Sequence, residues 1–227
     1  MQLAIDTSTE FASLALVQGT EIATELTWRC GQNHTVELFP RLDLALEKSG
    51  REIDAVDCIF VARGPGSFNG LRVGVAAAKG LAFALGIPII AIGTLEIMAY
   101  QHAGTGLPVC VILNAGREEI AAAIYQRRPR KGWSQLVSEH ITTIKALNSE
   151  IKDMTVVCGE FGAAEAVEIK RRLKTRIIIP DQAARLRRAG FLAELGQVRL
   201  AAGDYDNTAT LQPLYLRHPP ITERKKH

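Results

Sequence analysis

The hydrophobic pattern along the chain predicts strands and helices in an order that occurs twice. At the start, short apolar segments separated by tight turns are typical of a three-stranded meander, and apolar residues at helical spacing follow. A meander followed by alternating helices and strands predicts a mixed sheet with helices packed on it. In the first half, helices are predicted over 35–49, over 70–85 and from about residue 94, and strands over 3–6, 11–17, 21–28, 58–61 and 88–92.

The second half repeats this order. Gly104 and Gly106 precede Pro108 and are typical of a linker between the two halves. Strands are predicted over 109–113, 119–125 and 136–140. A helix, a strand and a second helix follow, and a last strand is predicted over 177–179. The sequence therefore predicts an α/β protein with two similar lobes, residues 1–105 and residues 106–227, each a mixed sheet with flanking helices.

Composition favours a folded protein outside the membrane. With 227 residues, 47% of them hydrophobic, the chain is long enough to bury a large core. Its longest apolar stretch, residues 73–92, contains Lys79 and Pro88, which indicates a helix, a turn and a strand rather than a bilayer span. Asp6 lies where a secretory signal peptide needs apolar residues. We expect a cytoplasmic protein without a membrane segment.

The cysteines predict packing rather than chemistry. Cys58, Cys110 and Cys158 lie in apolar, strand-like segments, where a thiol behaves as a small hydrophobic group. The sequence has no Cys-x-x-Cys pair, so we expect neither a zinc ribbon nor a dithiol redox site. Reduced, buried thiols fit the cytosol.

Basic residues cluster toward the C-terminus, although the formal net charge is only +3. The sequence pI of about 8.7 is below the value of roughly 9 or more that is typical of a dedicated nucleic-acid-binding domain. Two interpretations remain: solvated helix faces with a frayed tail, or weak attraction to nucleic-acid phosphates. The basic groups are Lys170, Arg171, Arg172, Lys174 and Arg176; Arg185, Arg187 and Arg188; and Arg224, Lys225 and Lys226.

The segment 63–72, between a predicted strand and a predicted helix, is rich in glycine. Glycine allows close backbone approach, and free amide groups at a helix N-terminus can bind an anion, so one interpretation is a phosphate loop. A tight turn with Ser67 or Asn69 capping the helix is the other. Spacing excludes a Walker loop, because Leu71 follows Gly70, and a dinucleotide fingerprint, because Asn69 stands where that motif needs glycine.

This segment resembles the Gly-Pro-Gly-Ser-Phe-Thr-Gly-Leu-Arg signature of the TsaB family, formerly called YeaZ. Members of that family are dimerisation subunits of bacterial tRNA threonylcarbamoyladenosine (t6A) synthase. Asn69 replaces the usual threonine, and as a short polar residue it is expected still to cap the helix. The motif loop comprises Gly64, Pro65, Gly66, Ser67, Phe68, Asn69, Gly70 and Arg72, and weaker similarity covers 5–9, 34–40, 94–96, 114–119 and 213–217.

The resemblance implies tandem ribonuclease-H-like lobes, as in actin, Hsp70 and sugar kinases, which close on ATP. Asp6, Thr7 and Ser8 match the first phosphate loop of that fold, where the carboxylate would hold a magnesium-bound water. Asn114 stands where the second loop has an aspartate and carries no charge for the metal, so weak or absent ATP hydrolysis is expected. Alternatively, Asp6 and Ser8 only stabilise a turn.

The sequence lacks the catalytic features of related enzymes. No two of its histidines have a metal-ligand spacing on one helix, unlike the catalytic relative in the same machinery, which has a His-x-x-x-His pair. Neither His-Glu-x-x-His nor Gly-x-Ser-x-Gly is present, so a peptidase is not supported. We expect no catalytic residue and no metal ligand.

Two helices are candidates for partner binding. The first has an apolar face too wide for one sheet to cover, and the second is rich in Gly and Ala, which allows close helix approach. Alternatively, both helices pack only on their own sheet and on each other. The resemblance favours partner binding through these helices. The candidate interface residues are Val36, Leu38, Phe39, Leu42, Ala45, Leu46, Val73, Ala77, Leu81 and Ala84.

The resemblance implies a non-catalytic subunit that binds and activates the catalytic subunit TsaD, with the ATPase TsaE joining the pair. It also implies homodimers through a similar surface, tRNA contact only through the complex, and no tightly bound cofactor, with ATP or ADP and magnesium at the complex interface. Two rival hypotheses are an active ATPase or small-molecule kinase of the same fold and a direct tRNA-binding module that uses the C-terminal arginines.

Overall fold

The computed structural model describes residues 1–217 and contains two five-stranded sheets with helices packed on them. The strands are β1 (Gln2–Asp6), β2 (Phe11–Gln18), β3 (Glu21–Arg29), β4 (Cys58–Gly64), β5 (Ile89–Gly93), β6 (Val109–Gly116), β7 (Glu119–Arg128), β8 (Gly132–Thr142), β9 (Thr155–Glu160) and β10 (Ile177–Ile178). The helices are α1 (His34–Ser49), α2 (Phe68–Leu85), α3 (Thr94–Tyr100), α4 (Leu147–Glu150), α5 (Ala163–Leu173), α6 (Gln182–Arg185) and α7 (Ala189–Ala201).

Both sheets have the same topology. The first has the order β3-β2-β1-β4-β5, and the second has the corresponding order β8-β7-β6-β9-β10. β1 is antiparallel to β2 and parallel to β4, and β6 has the same relation to β7 and β9. The predicted repeat of one mixed-sheet plan is therefore confirmed.

Helix α2 shows how local sequence sets an element's ends. It begins at Phe68, two residues before the predicted start, because the Ser67 side chain caps it by accepting a hydrogen bond from the Gly70 amide at 3.3 Å. It ends where Gly86 adopts a left-handed conformation, with φ of 67°. Among residues 1–217, no helix, including this 18-residue one, is long and apolar enough to cross a membrane.

Helices cover both sheets with apolar side chains. Leu38 and Leu42 of α1 pack with Ala78 of α2 on one face of the first sheet. On the second sheet, α3 contributes Leu95 and Met98 to one core cluster, and α5 contributes Ile169 and Leu173 to another. All four cysteines are buried and free, and burial raises the pKa of Cys58 and Cys110 to about 12. The prediction of buried thiols is confirmed.

The predicted lobe boundary needs one correction. Residue 105 does separate the two sheets, but α7, which lies in the predicted C-terminal lobe, packs on the first sheet. Leu192 and Ala193 share a core cluster with Ala4 of β1 and Phe60 of β4. The physical reason is that α1 and α2 cover only one face of the first sheet, and its other face is equally apolar.

Candidate functional site

Asp6, at the end of β1, is fully buried, and both of its carboxylate oxygens have partners within the chain. Oδ1 accepts hydrogen bonds from the Ser8 amide at 3.0 Å and from the Ser8 hydroxyl at 2.6 Å. Oδ2 forms a salt bridge with Nε of Arg187. The interpretation that Asp6 and Ser8 stabilise a turn is therefore confirmed, and the carboxylate has a further, distant partner.

Among residues 1–217, Arg187 is the largest fully buried side chain, with 2% of its surface exposed. Besides Asp6, its guanidinium contacts Glu160 at the end of β9, through a 2.9 Å bond from Nη1 to Oε1. It also donates to the Thr9 hydroxyl at 3.1 Å and to the Phe11 carbonyl at 2.6 Å. One side chain thus ties the first sheet to the second. The interpretation of Arg187 as part of a solvated basic group is wrong, because the side chain is buried and paired with carboxylates inside the protein.

This arrangement does not fit a magnesium nucleotide at Asp6. A magnesium ion, or the water it holds, needs carboxylate oxygens that are open to it. Here a guanidinium that stays charged at any physiological pH already occupies the cation position beside Asp6. On the opposite lobe, Asn114 is exposed and its side-chain oxygen accepts from the Gly116 amide at 2.7 Å. The surroundings of Asp6 therefore do not fit the expected role of holding a metal-bound water, because the carboxylate is the counter-ion of Arg187.

The glycines of the motif serve close packing against the loop after β1. A Cβ at position 66 would lie 2.0 Å from the Ser8 carbonyl oxygen, and a Cβ at position 70 would lie 2.2 Å from that of Thr7. The Ser67 amide donates to the Ser8 carbonyl at 2.7 Å, and the Thr7 hydroxyl donates to the Gly70 carbonyl at 2.8 Å. The motif is therefore a capped turn fitted to residues 7 and 8, and two amides that a phosphate would need, those of Ser67 and Gly70, are already used.

Asn69 and Phe68 have different roles from those the motif alone suggests. Ser67, not Asn69, caps α2, and Asn69 is exposed, so the expectation of an Asn69 cap is corrected. The Phe68 ring contacts the Arg72 guanidinium, 3.8 Å from its centroid, and the Tyr215 ring, with centroids 5.1 Å apart. Residues 213–217 run beside the motif, and the Leu214 amide donates to the Arg63 carbonyl at 2.7 Å. The resemblance at residues 213–217 thus has a structural basis.

Several predicted interface residues lie in the chain's own core. Leu38, Leu42, Ala45 and Leu46 of α1 are buried against the first sheet and α2, so they are not accessible to a partner. The prediction failed because the α1 face that looked too wide for one sheet is covered by the sheet and α2 together. Partly buried side chains on α2 that pack against the same core are Val73, Ala77 and Leu81.

Apolar residues nevertheless remain exposed on both helices. On α1, Val36 is 69% exposed and Phe39 is 46% exposed. On α2, Phe83 is 86% exposed, a feature the sequence reasoning missed. The spacing of Ala76, Gly80, Phe83 and Ala84 opposite the buried Val75, Ala78 and Ala82 could have revealed it. We call the exposed apolar and small residues of these helices the α1/α2 surface, which comprises Val36, Phe39, Ala76, Gly80, Phe83 and Ala84.

The C-terminal basic groups are partly engaged by contacts with carboxylates and a ring of the same chain. Arg188 pairs with Glu25, Arg172 pairs with Glu168 at 2.7 Å, and the Arg185 guanidinium lies 4.5 Å from the centroid of the Phe161 ring. Lys170 and Arg171 stay exposed on α5. The basic tail Arg224, Lys225 and Lys226 lies outside the described residues.

Comparison with known proteins places this geometry in a family. Residues 28–155 match the family model described as "TsaD: tRNA N6-adenosine threonylcarbamoyltransferase". Over 95% of this chain and 93% of its own length, "tRNA threonylcarbamoyladenosine biosynthesis protein TsaB" of Haemophilus influenzae is 30% identical. This chain belongs to the TsaB family. The resemblance found in the motif loop is therefore confirmed across nearly the whole chain, whereas the transferase model covers residues 28–155, a little more than half of it.

Solved structures agree with the TsaB assignment and with the fold prediction. YeaZ from Pseudomonas aeruginosa superposes with a TM-score of 0.78 at 26% identity, covering 94% of this chain and 99% of that one. The ROK hexokinase of Thermus thermophilus, at 11% identity and a TM-score of 0.51, covers 87% of this chain and 99% of that one and shows the fold alone. The predicted tandem ribonuclease-H-like architecture of the actin and sugar-kinase type is confirmed.

Proposed function

We propose that this chain is the non-catalytic subunit of a cytosolic t6A synthase, which binds and activates the catalytic subunit TsaD. The observation that carries the proposal is the fully buried Asp6–Arg187 salt bridge. A kinase-like fold whose first phosphate-loop carboxylate is neutralised by the chain's own arginine is unsuited to hold a magnesium nucleotide. The TsaB relative is named for threonylcarbamoyladenosine biosynthesis, which supports a role in t6A synthesis. The neutralised Asp6 carboxylate supports an assisting rather than a catalytic subunit.

The rival hypothesis, an active ATPase or kinase, requires an Asp6 carboxylate that is open to magnesium. Displacing Arg187 would leave two buried or half-buried carboxylates without their cation, and burying an uncompensated charge costs several kcal/mol, roughly 3–5. We therefore propose no tightly bound cofactor for the isolated chain. ATP or ADP with magnesium is instead assigned to the interface with TsaD.

The α1/α2 surface is the proposed docking site for TsaD. A mostly exposed phenylalanine beside small residues offers a ring that a partner can bury and a smooth helix face that another helix can approach closely. A specific interface of standard size buries roughly 1,600 Å² in total. In the absence of TsaD, the same surface would form a homodimer, and TsaE would join the TsaD-bound pair.

Replacing Phe83 with aspartate is expected to weaken binding to TsaD at least about thirtyfold, equivalent to roughly 2 kcal/mol, because a charge would replace a ring buried at the interface. The matched control is Val167→Asp, which places the same charge at a residue 67% exposed on α5 of the other lobe. Affinity is measured by calorimetric titration of TsaD with each purified variant. Equal affinity of the Phe83→Asp variant and the control would show that the docking site lies elsewhere.

The C-terminal arginines do not favour a direct tRNA-binding module. Arg187 is buried, and Arg188 and Arg172 have carboxylate partners. We therefore propose that tRNA is bound through the assembled complex. Weak tRNA binding by the isolated chain is the expected result, whereas tight, steeply salt-dependent binding would support the module instead.

A further inference from the structure

The hairpin that connects β7 to β8 carries a dense group of positive charges. Arg127, Arg128, Arg130 and Lys131 flank Pro129, and the sequence contains no Asp or Glu from residue 120 to residue 138. Within residues 1–217, none of these four side chains forms a salt bridge. Three of them are exposed and Arg128 is half-buried. The hairpin therefore presents positive charge that no neighbouring carboxylate neutralises.

This group differs from the other basic groups within the described part of the chain. Arg187 forms salt bridges with Asp6 and Glu160. The exposed cations of α5 share their helix with Glu165 and Glu168. Local carboxylates reduce the attraction of such groups for a polyanion, since opposite charges within a few ångströms offset each other. Only unopposed charge contributes fully to binding an anion.

The base of the hairpin is held rigidly by aromatic packing. Trp133, cross-strand partner of Arg127, stacks on Tyr125 with centroids 5.6 Å apart and meets the edge of Tyr100 at 5.2 Å. The Arg127 guanidinium lies 5.1 Å from the centroid of the Tyr100 ring. A fixed base holds in place the backbone that carries the cations, so the hairpin loses little backbone freedom on binding.

The tip is equally constrained. The Lys131 amide donates to the Arg128 carbonyl at 3.3 Å, which closes the turn, and Pro129 fixes one of its backbone angles. Arg130 and Lys131 at this tip are exposed. The two side chains thus project from a short, closed turn.

The hairpin suits a phosphate backbone better than a protein surface. A protein interface usually contains a buried apolar centre, but among the described residues no large hydrophobic side chain between Gln126 and Gly132 is exposed. Three of the four cations are arginines, whose planar guanidinium can donate two parallel hydrogen bonds to a phosphate. We propose that the β7–β8 hairpin contacts the phosphate backbone of the tRNA held by the complex, an inference that rests on the proposed function.

The test compares two double charge reversals in the assembled complex. Arg130→Glu with Lys131→Glu alters the hairpin, and Lys170→Glu with Arg171→Glu makes the same change of net charge on α5. Binding of unmodified tRNA to the chain–TsaD complex is measured by fluorescence anisotropy over a range of salt concentrations. The hairpin variant is expected to bind tRNA on the order of tenfold more weakly. The plot of log affinity against log salt is also expected to become less steep by about two, one for each lost phosphate contact.

Complex formation and thermal melting are measured for both variants first, so that the outcomes are separable. If both complexes form and the two variants bind tRNA equally well, the hairpin proposal is wrong while the proposed function stands. If the hairpin variant instead loses an acidic protein partner and keeps its tRNA affinity, the hairpin proposal is also wrong. If the unaltered chain forms no complex with TsaD, the proposed function itself fails.

Discussion

Replacing Arg187 with methionine is expected to lower the free energy of unfolding by about 3–5 kcal/mol, because the change leaves buried Asp6 without its counter-charge. Methionine fills much of the arginine's volume, so the lost charge rather than a large cavity dominates the effect. Urea denaturation followed by circular dichroism measures the difference.

Two further variants isolate the cause. Arg188→Met removes the neighbouring arginine, which is exposed and pairs with Glu25, and is expected to cost about 1 kcal/mol or less. Adding Asp6→Asn to Arg187→Met removes the unpaired charge and is expected to restore part of the lost stability. Equal losses for Arg187→Met and Arg188→Met would show that the buried ion pair does not stabilise the fold.

Two glycines of α2 are expected to respond in opposite directions to the same substitution. Gly70→Ala places a Cβ 2.2 Å from the Thr7 carbonyl oxygen, a backbone atom that cannot rotate away. We expect the free energy of unfolding to fall by about 3 kcal/mol, which is in the upper part of the usual range for overpacking. A Cβ at position 80 has no neighbour within 4 Å. We expect Gly80→Ala to raise the free energy of unfolding by about 1 kcal/mol, because alanine has the better helix propensity.

Urea denaturation of the isolated chain measures whether each variant is more or less stable than the unaltered protein. A stabilised Gly70→Ala variant would mean that the motif loop tolerates a side chain and does not pack against residues 7 and 8 as described. A destabilised Gly80→Ala variant would mean that the α2 surface around position 80 is already covered in the isolated protein, for example by a homodimer partner.

Periodicity predicted most of the fold because it records which faces are buried locally. The short apolar segment of β2 and the helical spacing in α1 and α2 placed these elements within a few residues of their observed bounds. Periodicity does not record which element covers a face. For that reason the buried stripe of α1, from Leu38 to Leu46, was predicted to bind a partner, although it packs on the first sheet and α2.

The central salt bridge could not be predicted from local pattern. Asp6 and Arg187 are far apart in the sequence, and Arg187 stands between two other basic residues in a segment that looks solvated. Only the tertiary fold, in which residues 187–201 return to the first sheet, brings the two charges together. The Ser67 cap, by contrast, was one of two predicted candidates, because capping depends on residues three positions apart.

Reconstituted tRNA modification shows whether this chain assists TsaD without catalysing a reaction itself. Unmodified tRNA is incubated with the threonylcarbamoyl donor, ATP and TsaE, together with this chain alone, TsaD alone, both proteins, or TsaD with the Phe83→Asp variant. Efficient t6A formation is predicted only with both unaltered proteins, and no ATP turnover is predicted for this chain alone. Modification by this chain without TsaD, or equal modification by TsaD with and without it, would contradict the account.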